Sequence, residues 1–160
     1  MSKIDVTYHN LLDKILQEGY TYEDPNRKGV NRIEIPSYTF RHEFKDGFPA
    51  ITTKKLNYKS VVTELIWFLR GDTNIKYLVD NGCNIWNKDA YNYYLKLCKH
   101  NEVIPVNNDD FIKFTKQGNV KDYFNNYQFG DLGKVYGHYW RNYDGFDQIK
   151  DIIDKMINTT

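Results

Sequence analysis

Leu56-Asn57-Tyr58-Lys59-Ser60-Val61-Val62-Thr63-Glu64-Leu65-Ile66-Trp67-Phe68-Leu69-Arg70-Gly71 is the stretch on which the fold turns. Its apolar residues, Val61, Val62, Leu65, Ile66, Trp67, Phe68 and Leu69 among them, surround the axis almost completely at helical spacing. That pattern predicts a central helix buried on nearly every side. Gly71 is placed to terminate it. Upstream, Tyr8, Leu11, Leu12, Ile15 and Leu16 fall at i, i+3, i+4, i+7, i+8 and predict an amphipathic helix, started by Asp5 or Thr7 and closed by Gly19. Downstream, Ile149, Ile152, Ile153, Met156 and Ile157 repeat the same stripe.

Between the first two helices the period changes. Ile33 and Ile35 alternate with polar neighbours, and after Pro36-Ser37 the apolar set moves to Tyr38, Phe40 and Phe44, with His42 on the same face. A phase shift across a proline predicts a β-bulge or a break between two strands. From Asn87 to Phe129 the chain is rich in Tyr, Asn and Lys and less periodic. Ala90, Tyr91, Tyr94, Leu95 and Cys98 suggest one helix and Phe111 to Lys116 another, both expected at the periphery.

The 160 residues (19.1 kDa) predict one domain, or two small ones. With 22 Lys and Arg against 21 Asp and Glu, the formal charge of +1 recruits neither nucleic acid nor an anionic membrane. Aromatic residues make up 16% of the chain, far too much apolar surface for a disordered protein. No apolar run reaches the roughly 18 residues of a spanning helix, and no signal-peptide core opens the chain. A soluble, intracellular, cytoplasmic globular protein is expected.

Glu64 is the first residue that asks for a chemical reading. Its helical neighbours are Ser60, Val61, Trp67 and Phe68, so its carboxylate is expected to be desolvated and suited to proton transfer. The alternative is a Glu at the edge of the buried face that reaches solvent or pairs with Lys59 or Arg70. Arg27, in the turn Asp24-Pro25-Asn26-Arg27-Lys28-Gly29, is either a bidentate anion contact or a solvated surface cation. Gly130-Asp131-Leu132-Gly133-Lys134-Val135-Tyr136-Gly137 is neither GxGxxG nor a Walker loop; it presents Tyr136 or is a plain turn. Trp86 and Trp140 read as stacking platforms or as core. Cys83 and Cys98 lack a CxxC spacing or a cationic neighbour and are expected to be buried and inert. His9, His42, His100 and His138 make no metal spacing, so no metal is expected.

Taken in order, Phe48-Pro49-Ala50-Ile51-Thr52-Thr53-Lys54-Lys55, Glu64 to Ile75, Asn84-Ile85-Trp86, Gly130 to Arg141 and Asp147-Gln148-Ile149 resemble the N-terminal half of the thymidylate synthase and pyrimidine deoxynucleotide hydroxymethylase family. Asn26-Arg27-Lys28-Gly29 resembles the family's Arg-Thr-Gly phosphate loop. The resemblance implies an α+β fold, a mixed kinked β-sheet packed against helices, dimerising through the sheet face. The chain then reads as the N-terminal part of a single domain spanning 1–160, with a variable insertion at about 87–129.

The resemblance further implies reductive methylation of dUMP to dTMP, with 5,10-methylenetetrahydrofolate as one-carbon donor and reductant, in a homodimer that binds no DNA. Glu64 matches the family's proton-relaying carboxylate and Tyr136 the Tyr that acts through water on the C5 proton. Trp86 and Ile85 match residues packed on the folate ring, Arg27 a phosphate ligand and Lys54 a Lys near the folate's glutamate tail. Some positions depart from the pattern: Lys28 stands for the usual Thr, the loop's second Gly is missing, and Asp89 replaces a second Trp. The nucleophilic Cys of the family's Pro-Cys-His motif lies beyond the matched segments, and neither Cys83 nor Cys98 occupies it. Residues 1–160 alone are therefore expected to be inactive. The alternatives are a non-catalytic truncated or split homologue serving as an interaction module, and a hydroxymethylase, in which water rather than hydride completes the reaction.

Overall fold

The computed structural model describes residues 2–25, 27–121 and 126–159. Asn26 of the phosphate-type loop, residues 122–125 of the expected insertion and Thr160 lie outside the described residues. The chain divides into two compact units, Met1–Leu56 and Asn57–Thr160. Its class is α+β, with seven α-helices and one two-stranded antiparallel sheet among the described residues.

In the first unit, helix α1 spans Lys3–Glu18, five residues longer at its start than the apolar stripe indicates. The cap is Ser2, whose side chain accepts from the Asp5 N–H at 3.2 Å. Asp5 accepts in return from the Ser2 N–H at 3.2 Å, completing a capping box. Asp5 is thus the third helical residue rather than the cap. It also accepts from the Thr52 N–H and hydroxyl, both at 2.7 Å, which ties the Ile51–Thr53 segment to the head of α1.

Gly19 ends α1 as expected, but with φ −75° and ψ 150° rather than a left-handed turn. A Cβ here would stand 2.4 Å from the Ile15 carbonyl oxygen and 2.5 Å from Ile33 Cγ2, so only glycine fits. The chain leaves α1 already extended, as strand β1 (Tyr20–Glu23), which pairs antiparallel with β2 (Asn31–Glu34) in the register Tyr20 to Glu34 and Thr21 to Ile33. Beyond Pro36 no second strand forms. Residues 36–43 are irregular and a single 3-10 turn follows at Phe44–Asp46. The phase shift at Pro36 marks where the chain leaves the hairpin, because proline cannot donate to a ladder.

In the second unit, α2 (Tyr58–Arg70) is capped by Asn57, and Gly71, at φ 73°, closes it as the sequence indicates. Its burial differs from the expectation. Only Thr63 and Trp67 are buried, while Val61 and Leu65 remain 50% and 47% exposed. α3 (Lys76–Asp80), α4 (Asn87–His100) and α5 (Asn108–Gln117) follow. α4 and α5 are not peripheral: Ala90, Tyr94, Cys98 and Phe111 lie at the centre of the core with Trp67, Ile75 and Leu78.

Tyrosine explains the reversal. The Tyr94 ring packs 5.3 Å from Phe111 and 5.5 Å from Tyr127, centre to centre, while its hydroxyl accepts the Val106 N–H at 3.1 Å. A tyrosine with a satisfied hydroxyl buries as well as a phenylalanine. Cys83 and Cys98 are buried as expected, and the Cys83 thiol faces the Ser60 carbonyl at 3.8 Å.

α6 (Tyr136–Arg141) packs on α2, and α7 (Gln148–Asn158) on α6. Asp147 caps α7 by accepting the Lys150 N–H at 2.9 Å. That bond, with help from Arg141 at 2.8 Å, holds its carboxyl below the usual range. The apolar stripe of α7 is exposed at Ile152, Ile153, Met156 and Ile157. No helix among the described residues is long and apolar enough to cross a membrane.

Candidate active site

Glu64, Trp86 and Tyr136 come together in the second unit from three separate elements. Glu64 lies on α2, half-buried, one turn before the fully buried Trp67. Trp86 precedes α4, and its indole N–H donates to Glu64 Oε1 at 2.6 Å. An indole only donates, so the carboxylate oxygen is fixed as acceptor, and a short bond of this kind is charge-assisted. Neither Lys59 nor Arg70 pairs with Glu64. Arg70 instead lies 3.5 Å from Asp72 and 4.5 Å above the Tyr77 ring.

Aromatic packing holds Trp86 in place. Its ring is 5.7 Å from Trp67 and 6.2 Å, edge-on, from Phe68. Trp67 is itself anchored by donating to the Asn74 carbonyl at 2.8 Å. Tyr136 opens α6, its ring 5.5 Å from Phe68 and 6.1 Å from Trp86. Gly137 makes this approach possible, since a Cβ there would stand 2.6 Å from the Phe68 carbonyl oxygen. Trp140, half-buried, closes the far side of Phe68 at 5.5 Å.

Beside Trp86 and Tyr136 opens a cavity of about 290 Å³, completed by Lys134, Val135 and Tyr139. That is the lower end of small-ligand cavities, enough for a planar ring between aromatic walls. Ile85 is exposed next to Trp86 but is not part of the cavity wall. Lys134 and Tyr139 were not expected at the site. Their only sequence signal is position, Lys134 two residues before Tyr136 and Tyr139 three after it.

Arg27 and Lys54 both belong to the first unit and are exposed. Arg27 sits in a turn closed by the Val30 N–H donating to its carbonyl at 3.0 Å. The neighbouring cation Arg32 pairs with buried Asp24 at 2.5 Å, and Gly29, at φ 78°, donates its N–H to Glu23 Oε1 at 2.8 Å. The Arg27 guanidinium makes no ion pair among the described residues. Lys54 follows the segment held by Asp5 and by the His9–Thr53 hydrogen bond of 2.8 Å. No group of three metal-ligating side chains gathers among the described residues.

The arrangement provides a phenol and an indole in the wall of a cavity, with an oriented carboxylate bonded behind the indole, a set able to pass a proton to a flat heterocycle. The thymidylate synthase family profile matches residues 6–160. Proteins named thymidylate synthase from Mycoplasma genitalium, Malacoplasma penetrans and Phytoplasma mali are 40%, 43% and 39% identical to this chain. In all three the match takes in 93% of this chain, which spans about half the length of these relatives (49%, 48% and 49%). The chain belongs to the thymidylate synthase family.

Proposed function

We propose that these residues form the proton-handling and folate-facing wall of a thymidylate synthase, which methylates dUMP to dTMP. The observation that carries this reading is the 2.6 Å Trp86–Glu64 hydrogen bond beside Tyr136 at an aromatic cavity. Glu64, oriented by Trp86, relays protons through ordered water, and Tyr136 assists in removing the C5 proton. Trp86 and Tyr136 hold a flat ring and exclude bulk water from it. 5,10-Methylenetetrahydrofolate, when bound, supplies both the one-carbon unit and the hydride. Arg27 takes the nucleotide phosphate as a bidentate ligand, and Lys54 the anionic folate tail. Ile85 covers the ring at the rim.

Neither Cys83 nor Cys98, buried at 0% and 1% exposure and outside any Pro-Cys-His motif, is read as the thiolate that adds to C6. The assembled enzyme is read as a cytoplasmic homodimer, and residues 87–129 as an insertion within one family domain. Release of tritium from C5-labelled dUMP in the presence of folate tests the reading. The 160 residues alone are expected to give none. With the Pro-Cys-His half supplied, turnover is expected, and Glu64→Gln should cut it by about a hundredfold or more while nucleotide binding changes far less. Turnover by residues 1–160 alone would overturn the nucleophile assignment. A hydroxymethylated product would move the protein to the hydroxymethylase branch.

A further inference from the structure

Asn74 stands between two parts of the site and bonds to both. Its backbone carbonyl accepts the Trp67 indole N–H at 2.8 Å, and Trp67 packs against Trp86, the residue that holds Glu64. Its side-chain amide donates to the Phe129 carbonyl at 3.0 Å, at the start of the loop that runs to Tyr136. The side-chain oxygen accepts from the Lys76 N–H at 2.8 Å, at the head of α3. Its neighbours add two backbone ties: Ile75 N–H to the Gly130 carbonyl at 2.9 Å and Leu132 N–H to the Thr73 carbonyl at 3.0 Å. The loop is closed so tightly that a Cβ on Gly130 would stand 2.7 Å from Asn74 Oδ1.

We propose that Asn74 is a positioning residue, one side chain and one carbonyl that set the Trp67 indole behind Trp86 and the loop leading to Tyr136 in mutual register. It touches neither the Glu64 carboxylate nor the cavity wall. Its chemistry suits the task, because a primary amide carries its donor and acceptor on two separate atoms, Nδ2 for the Phe129 carbonyl and Oδ1 for the Lys76 N–H. Asp is the discriminating substitute: it keeps the acceptor, loses the donor, and faces the Phe129 carbonyl with a second oxygen.

The chain has three tryptophans, so its indole N–H signals are three resonances that nitrogen-edited NMR resolves. In Asn74→Asp the Trp86 indole signal is expected to shift, and the Leu132 amide to exchange about tenfold faster, the scale of one lost hydrogen bond. Asn81→Ala is the control. It removes the same kind of bond, Asn81 Nδ2 to the Tyr77 carbonyl at 2.8 Å, at the other end of α3. In Asn81→Ala the Trp86 signal should stay in place whatever the urea midpoint does. If Asn74→Asp leaves the Trp86 signal and Leu132 exchange unchanged, or if Asn81→Ala moves them equally, Asn74 is only a structural residue and the proposal fails. The role rests on the site reading of Glu64, Trp86 and Tyr136, yet the readout needs no turnover, so a failure of either is distinguishable from a failure of the other.

Discussion

Asp5 accepts four hydrogen bonds, from Ser2 N–H and hydroxyl and from Thr52 N–H and hydroxyl, while only 1% exposed. The Thr52 hydroxyl, followed by the Thr52 N–H and then Ser2, holds its carboxyl far below the ordinary value of 3.8. A depressed folded-state value contributes stability that is present above the unfolded value and lost as pH falls below it. The fold is therefore expected to weaken progressively from about pH 4 downward. Asp5→Asn should be less stable than the parent at pH 7 and lose less on acidification. Urea midpoints at pH 7 and pH 3 check this; an equal drop in both proteins would show that Asp5 is not the titrating group. Glu64 is held from one side only. One oxygen is fixed by Trp86, while Oε2 accepts no hydrogen bond among the described residues and is left for exchange with water or ligand.

The contact between α2 and α6 depends on one missing methyl group. At Gly137 a Cβ would meet the Phe68 carbonyl oxygen, Cα and carbonyl carbon at 2.6, 2.8 and 3.1 Å, all backbone atoms that cannot rotate away. Gly137→Ala is expected to push α6 off α2, cost about 1–3 kcal/mol and separate the Tyr136 and Phe68 rings. Urea unfolding measures the first and tyrosine ring-proton shifts the second. A stabilised variant, as helix propensity alone favours, would contradict the packing account. The helices of α1, α2 and α7 are legible in the sequence because aliphatic residues repeat at helical spacing. β1 is not, because Gly19 reads as a stop and nothing local shows that it releases the chain directly into a strand. The weight of α4 and α5 is hidden for another reason: Tyr91, Tyr94 and Tyr127 carry their burial in rings whose hydroxyls find backbone partners. Glu64 is singled out by its apolar helical neighbours and Tyr136 by its Gly-punctuated loop, but a role for either follows only from the order of matched segments. Lys134 and Tyr139 depend on how the 130–136 loop closes, which no periodicity encodes.

At the scale of the whole chain, large apolar side chains remain uncovered on α2 and α7. Leu65 and Val61 on α2 and Ile153, Met156 and Ile157 on α7 are 47–71% exposed. With a net charge of only +1, little repulsion opposes self-association through such faces. Replacing Ile153 and Ile157 together by Lys is expected to reduce light scattering at high concentration while shifting the unfolding free energy by no more than about 0.5 kcal/mol. A large loss of stability would mean that these side chains are already packed. The two cysteines offer a different use of burial. Cys83 follows α3 and Cys98 sits in the last turn of α4, both sealed inside the same core. A thiol reagent in native buffer meets them only when that core parts. The pace of labelling is then a clock for rare openings, and two thiols on different elements tell whether the core parts as one body or piece by piece.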